Sequence, residues 1–273
     1  EAPPAGFCDH ALLTRRGCLT IACQNQLPAL ESLIAEIGAT GSEIREFSCE
    51  EARTLVPILR RERVAKAAFE PNSCDIDSHA LHAGYLRLAK ATGATLRLNA
   101  GADVIERRGD LWRISLADGD TVEARAIVNA AGAWADQVAE LAGAARLGLE
   151  PKRRTVLLLA PPTEMSIQHW PSVIDVHEQF YFKPDSGWLL ATPADETPSI
   201  PMDAAPEELD IAVCVDRIES ATYYTVDRIQ RSWAGLRTFA PDRTPVIGYD
   251  PELMGFFWFA GQGGYGLQTA PAA

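Results

Sequence analysis

At 273 residues with 47% hydrophobic side chains, the chain can bury one large core or two interwoven ones, which excludes a peptide, a disordered tail and a disulfide-stapled miniprotein. Its 25 Lys and Arg stand against 37 Asp and Glu, and a net charge of −12 repels phosphate backbones and anionic lipid surfaces, so a general nucleic-acid binder is not expected.

Six cysteines at positions 8, 18, 23, 49, 74 and 214 form no Cys-x-x-Cys pair and read as reduced thiols in a cytoplasmic protein. The longest apolar runs, 155–162 and 255–261, fall far short of the roughly 18 residues a membrane-spanning helix needs. The chain opens on Glu1-Ala2-Pro3-Pro4 and closes soon after a Gly-rich turn, and both ends read as cuts in a longer protein.

In chain order, Leu27, Leu30, Leu33, Ile34 and Ile37 have helical spacing over residues 26–38, followed by a strand at 43–47. Residues 48–56 read as a short helix, with Ser48 and Glu51 in capping-box spacing and Pro57 ending it. Asp77 or Ser78 caps a further helix that Gly93 closes. Strands are then expected at 94–98, 103–108, 112–117 and 121–129. Beyond Pro151, runs at 155–159, 172–176, 179–183 and 188–192 suggest a largely antiparallel sheet, with a hairpin turn at Pro184-Asp185-Ser186-Gly187 and a covering helix over 206–220.

Three features can carry chemistry. Residues 126–136 read as a buried strand entering Ala131-Gly132 and then a helix; small residues there let backbone approach a ligand, although tight strand-to-helix packing needs them too. Residues 255–269 lead an apolar strand into Gly261, Gly263, Gly264 and Gly266, bare backbone that a bound cofactor explains better than a flexible turn does. No Gly-Lys-Ser/Thr follows, so this is not a P-loop, and the spacing is not read as the Gly-x-Gly-x-x-Gly of a dinucleotide-binding turn either. Arg154 and Arg237 lie in apolar surroundings and must find anions, either a ligand carboxylate or an internal acid. The five histidines lack zinc-ligand spacing, no metal is expected, and no Gly-x-Ser-x-Gly marks a hydrolase.

Taken in order, Val128-Asn129-Ala130-Ala131-Gly132-Ala133-Trp134, Trp233-Ala234-Gly235-Leu236-Arg237, Asp242-Arg243-Thr244-Pro245-Val246-Ile247-Gly248 and Gly261-Gln262-Gly263-Gly264-Tyr265-Gly266 resemble the FAD-dependent D-amino acid oxidase family, which includes glycine and sarcosine oxidases. Residues 3–8, 147–154 and 255–258 are more specifically similar to its D-arginine dehydrogenase branch. The resemblance implies a mixed α/β, two-domain flavoprotein: a partial Rossmann-like FAD-binding domain from 1–17, 76–146 and 238–273, and an antiparallel-sheet substrate domain from 18–75 and 147–237. It also implies that a dinucleotide-binding βαβ unit and a lid loop with catalytic aromatic and histidine residues precede Glu1, so that this polypeptide alone holds FAD poorly.

Carried over by position, Ala102 would meet the adenine side of FAD, and Ala131 and Gly132 would lie near the cofactor. Gly263, Gly264, Tyr265, Gly266, Leu267 and Gln268 would follow the flavin ring. Arg154 and Arg237 would clamp a substrate carboxylate, Tyr181 would donate to it, and the Gly264 carbonyl would accept from the amine. The implied reaction is hydride transfer from a D-amino acid Cα to flavin N5, giving an imine and then a 2-oxo acid and ammonia, with oxygen or a quinone as electron acceptor. A quinone acceptor would add peripheral membrane association. Where the arginine-preferring branch places an acid, this sequence has Arg15-Arg16-Gly17-Cys18, so small or apolar D-amino acids are expected over D-arginine. The alternatives are a glycine- or sarcosine-type secondary amine oxidase and, from another class, a flavin-free amino-acid-binding module.

Overall fold

The computed structural model describes residues 3–4 and 6–273, in which secondary structure begins with β1 (Leu13–Arg15), β2 (Cys18–Ala22), α1 (Leu27–Ala39), β3 (Arg45–Ser48), α2 (Cys49–Leu55), β4 (Lys66–Glu70), β5 (Cys74–Ile76) and α3 (Ser78–Ala91). Next come β6 (Ala102–Arg108), β7 (Leu111–Leu116), β8 (Thr121–Ala124), β9 (Ile127–Asn129) and α4 (Ala135–Ala142). The C-terminal half holds β10 (Glu150–Leu159), β11 (Ser172–Asp175), β12 (Tyr181–Asp185), β13 (Trp188–Thr192), β14 (Thr197–Pro198), α5 (Glu208–Ala221), β15 (Ile229–Phe239), β16 (Val246–Tyr249), β17 (Phe256–Ala260) and α6 (Gly266–Thr269).

Local chemistry places several boundaries. Ser48 caps α2 by accepting from the Glu51 N–H while the Glu51 carboxylate accepts from the Ser48 N–H at 2.8 Å. Asp77 caps α3 through the Ala80 N–H at 2.8 Å. Between β12 and β13 the two-residue loop Ser186-Gly187 has φ of +49° and +85°, the left-handed pair whose twist suits a tight hairpin.

A nine-stranded sheet runs β14-β10-β13-β12-β11-β2-β4-β3, with β15 also paired to β10. Its neighbours are antiparallel except β2 and β11. The largest core lies on this sheet, where Leu157, Leu189, Phe182 and Val173 pack with Cys214 and Ile218 of α5 and Ala52 of α2. A second core joins β6, β7 and β17 to the alanine face of α4, with Ala135, Ala139 and Ala142 against Phe256, Trp258 and Trp112. Two three-stranded sheets, β6-β7-β8 and β16-β17-β9, carry that part, and β1 pairs with β5.

The mixed α/β architecture and the antiparallel character of the C-terminal half match the expectation; three local expectations are corrected. Residues 94–98 form no strand. The expected strand over 121–129 is two strands in different sheets, β8 and β9, because the chain turns between Ala124 and Ile127 to pair with β17. Nor is β9 buried throughout, since Val128 is 61% exposed.

Candidate functional site

Strand register alone brings the two arginines to one place. In the β10–β15 pair Lys152 lies opposite Arg237 and Arg154 opposite Gly235, and residues opposite each other share a face, as do residues two apart. Lys152, Arg154 and Arg237 therefore project from one side of the sheet. Alternation sends Arg153 to the other side, where its Nε donates to Asp210 at 2.9 Å and Nη1 donates to Glu207, fixing α5. Through β13, with Leu158 opposite Leu190 and Thr192 opposite Tyr181, and then Tyr181 opposite Ile174, the same register carries Tyr181 and Ile174 to the Arg154 face.

The Gly-rich turn arrives from β17. The Gly263 N–H donates to the Thr238 carbonyl at 2.8 Å, and a bridge joins Gln262 to Phe239, so the turn is pinned against the end of β15. A Cβ on Gly264 would lie 2.9 Å from Arg237 Nη1, which shows how closely that guanidinium lies against bare backbone. Arg154, Tyr181, Arg237, Gly264 and Tyr265 thus line one hollow of about 180 Å³.

Arg154 is buried there and only partly satisfied. It is 8% exposed, its Nε has no hydrogen-bond partner, and its Nη2 reaches the Glu196 carboxylate only at 3.5 Å. Burial, and after it the neighbouring Arg237 charge, pulls its pKa below the ordinary guanidinium value. The internal acid for Arg154 is thus Glu196, and the match is incomplete.

Ala131 and Gly132 line a second, open hollow of about 640 Å³ with Ala130, Trp134, Ala234 and Gly235. Asn129 shapes it: its amide donates to the Ala135 carbonyl at 2.8 Å and its side-chain oxygen accepts from the Ala131 N–H, folding the chain over between β9 and α4. β15 contributes to both hollows, Gly235 to this one and Arg237 to the other. Asn129 of β9 is opposite Trp258 of β17 in parallel register, so both small-residue turns leave from the carboxyl ends of neighbouring parallel strands, the place where open α/β sheets bind their ligands.

The remaining expected residues lie outside these two hollows. Ala102 begins β6 and packs against the second core, Gly263 lies on the Phe239 ring, and Gly266, Leu267 and Gln268 form the single turn of α6. Sequence reading missed Glu178, Ala194, Glu196 and Arg243, which line the first hollow. Arg243 stood inside a motif quoted for resemblance; Glu196 could have been sought as the acid a buried arginine requires. One reading of letters is corrected as well: Gly261-Gln262-Gly263-Gly264-Tyr265-Gly266 does spell Gly-x-Gly-x-x-Gly, between β17 and α6, and the parallel neighbour of β17 is the earlier strand β9. Arg16, from the segment where the arginine-preferring branch has an acid, is held by Asp75 at 2.7 Å and does not line the hollow. Among the described residues no group of three or more His, Cys, Asp or Glu is placed to hold a metal ion, and no helix is long and apolar enough to cross a membrane.

Residues 5–273 match the family described as FAD dependent oxidoreductase (DAO). The chain belongs to this FAD-dependent oxidoreductase family. Its relatives include the hydrogen cyanide synthase subunit HcnC of Pseudomonas aeruginosa, 25% identical over 88% of this chain and 56% of that protein. Mitochondrial sarcosine dehydrogenase of Mus musculus is also 25% identical, over 94% of this chain and 30% of its own length. Among solved structures, glycine oxidase from Geobacillus kaustophilus superposes with a TM-score of 0.82 at 22% identity, covering 96% of this chain and 69% of that one. The fold is the mixed α/β fold of these flavoenzymes, and the chain spans just over half the length of HcnC. FAD is the cofactor of the family. The residues present suit a flat ring: Gly132, at φ +56°, and Gly235 have nothing within 4 Å of where a Cβ would stand, and alanines make up most of the remaining wall.

Proposed function

We propose that this chain carries the substrate-binding sheet and the flavin-facing turns of an FAD-dependent enzyme that oxidises the Cα–N bond of a small α-amino acid. The reading rests on Arg154, a buried guanidinium with an unpartnered Nε beside a second arginine. Two cations held together repel, and a shared carboxylate relieves both, each through directed charge-assisted hydrogen bonds.

In this reading Arg154 and Arg237 grip the substrate carboxylate, Tyr181 donates to it, and the Gly264 carbonyl accepts from the amine. The aromatic walls, Phe180 and Phe239 among them, keep water from the Cα. The residues contribute binding and orientation, which fix the Cα–H against a hydride acceptor. FAD, which the two small-residue turns would hold, would supply that acceptor, and the imine product hydrolyses to a 2-oxo acid with release of ammonia from a primary amine or methylamine from N-methylglycine.

Glycine and N-methylglycine are the preferred substrates, because the similar proteins include a sarcosine dehydrogenase and a glycine oxidase. D-amino acids are the second reading, supported by the resemblance of residues 3–8, 147–154 and 255–258 to D-arginine dehydrogenases. The division into an FAD-binding and a substrate domain, and oxygen or a quinone as acceptor, belong to the same proposal. Anaerobic mixing of the FAD-loaded full-length protein with glycine, N-methylglycine, D-alanine and L-alanine, read as bleaching of the oxidised flavin band, tests it. Bleaching by the first two supports the preferred reading, and bleaching by D-alanine alone moves the assignment to the second. A full-length protein that binds amino acids yet retains no flavin would make the binding module correct instead.

A further inference from the structure

Glu196 faces more positive charge than one carboxylate can neutralise. Its two oxygens accept from Arg243 Nη1 at 3.0 Å and Nη2 at 2.8 Å, a fork-on-fork pair. The same carboxylate lies 3.5 Å from Arg154 Nη2 and 3.6 Å from Lys152 Nζ. Hydrogen bonding from Arg243, ahead of every other cause, holds its pKa below the ordinary carboxylate value.

Its position is fixed from both sides. Asp195 accepts from the Thr155 N–H at 2.7 Å and from Thr155 Oγ1 at 3.0 Å, and Thr197 lies opposite Arg153 in the β10–β14 pair. The residue between them must therefore stand beside Arg154. Arg243 comes from the turn after β15, at φ +62°, with its guanidinium 4.2 Å from the centre of the Phe239 ring. Stacking and the bidentate pair leave that guanidinium little freedom.

We propose that Glu196, gripped by Arg243, is the positioning residue of the carboxylate clamp: it orients Arg154 through Nη2 and leaves the Nε for the substrate carboxylate. This rests on the amino-acid-oxidising reading above. The geometry explains why Glu196 orients Arg154 without capturing it. Both carboxylate oxygens are already committed to Arg243, so the contact with Arg154 is single and long, and Arg154 keeps donors for a second anion. Without Glu196, the guanidiniums of Arg154, Arg237 and Arg243 would line one hollow with Glu178 as the remaining acid in its wall and Asp195, held by Thr155, behind Arg154, and mutual repulsion would splay them.

The test combines steady-state kinetics on N-methylglycine with calorimetric binding of acetate, a carboxylate with no amine to oxidise, using the FAD-loaded full-length protein. Glu196→Gln is expected to raise KM and the acetate Kd together by about tenfold, the scale of one misplaced charged hydrogen bond, with kcat within about threefold of the parent. Glu196→Asp keeps the charge but falls short of Arg154 and is expected to resemble Glu196→Gln. Arg243→Gln should reproduce the effect, and the double variant should be no worse than either single, because the two residues act as one unit. An acetate Kd that Glu196→Gln leaves within about twofold, a Glu196→Asp protein with parental affinity, or additive losses in the double variant would overturn the proposal. If the parent oxidises no amine yet binds acetate, and Glu196→Gln weakens that binding, the positioning role stands and the oxidation reading falls. A parent that binds no acetate sinks both.

Discussion

Adjacent glycines in the turn after β17 have different physical duties. Gly263 has φ +54°, and a Cβ there would lie 2.5 Å from the Phe239 ring, so Gly263→Ala forces both a strained backbone and a displaced core aromatic. A loss of roughly 1–3 kcal/mol in urea-unfolding free energy is expected. At Gly264 the nearest neighbour of a Cβ is the far end of the Arg237 side chain, which can yield. Gly264→Ala should therefore leave the unfolding midpoint nearly unchanged and weaken acetate binding, by moving one arm of the clamp. Arg154→Lys keeps the charge but loses the planar fork and the Nε, and kcat/KM is expected to fall by about 10- to 100-fold, the range for one charged hydrogen bond. That each arginine needs an anion was legible in the sequence, because guanidiniums among apolar neighbours demand one; that the two share a hollow was implied only by the family resemblance. Glu196 and Arg243 were not legible, because their relation to Arg154 depends on the β10–β14 register and on the turn after β15, neither of which short-range patterning encodes.

Elements were legible where a local rule sets them. The Ser48/Glu51 box and the Asp77 cap were readable as letters and are present as hydrogen bonds. Ser48→Ala should cost about 1 kcal/mol, measured by the same urea titration. The run over 121–129 misled because its strand-forming composition is continuous while its pairing is not. The break is imposed from far along the chain: Gly255, at φ +78°, lies so close that a Cβ would stand 2.8 Å from the Arg125 carbonyl oxygen. Gly255→Ala is accordingly expected to lower the melting temperature and to raise amide exchange in both β8 and β9, whereas a purely local role would affect β17 alone. Exposed Val128 on β9 escaped for a similar reason, since exposure depends on which strands surround a run and not on its composition.

At the scale of the molecule, separate parts are tied by acids whose charge is favoured in the fold. Asp75 of β5 accepts from Arg16 Nε at 2.7 Å and from Lys183 Nζ of β12 at 2.6 Å, joining the small β1–β5 pair to the large sheet. Burial acts to raise its pKa, but the hydrogen bonds and charges of Lys183 and Arg16 prevail and hold it below the ordinary 3.8. Glu196, linking the β10 side to the turn after β15, is likewise held below the ordinary 4.5. A carboxyl with a depressed folded pKa contributes stability that is fully present above its unfolded value and is lost as pH falls through the folded one. Glu70 opposes them, since burial raises its pKa and protonation relieves that cost as pH drops. Asp9, Glu51, Glu62, Asp77, Glu140 and Asp250 are held low as well, so the urea midpoint should hold near neutrality and fall once pH drops below about 4. Asp75→Asn should lower the midpoint at neutral pH and flatten its descent in acid. If the descent keeps the parental slope in Asp75→Asn, the acid sensitivity resides elsewhere, and the β5–β12 link is not what holds the two sheets together at low pH.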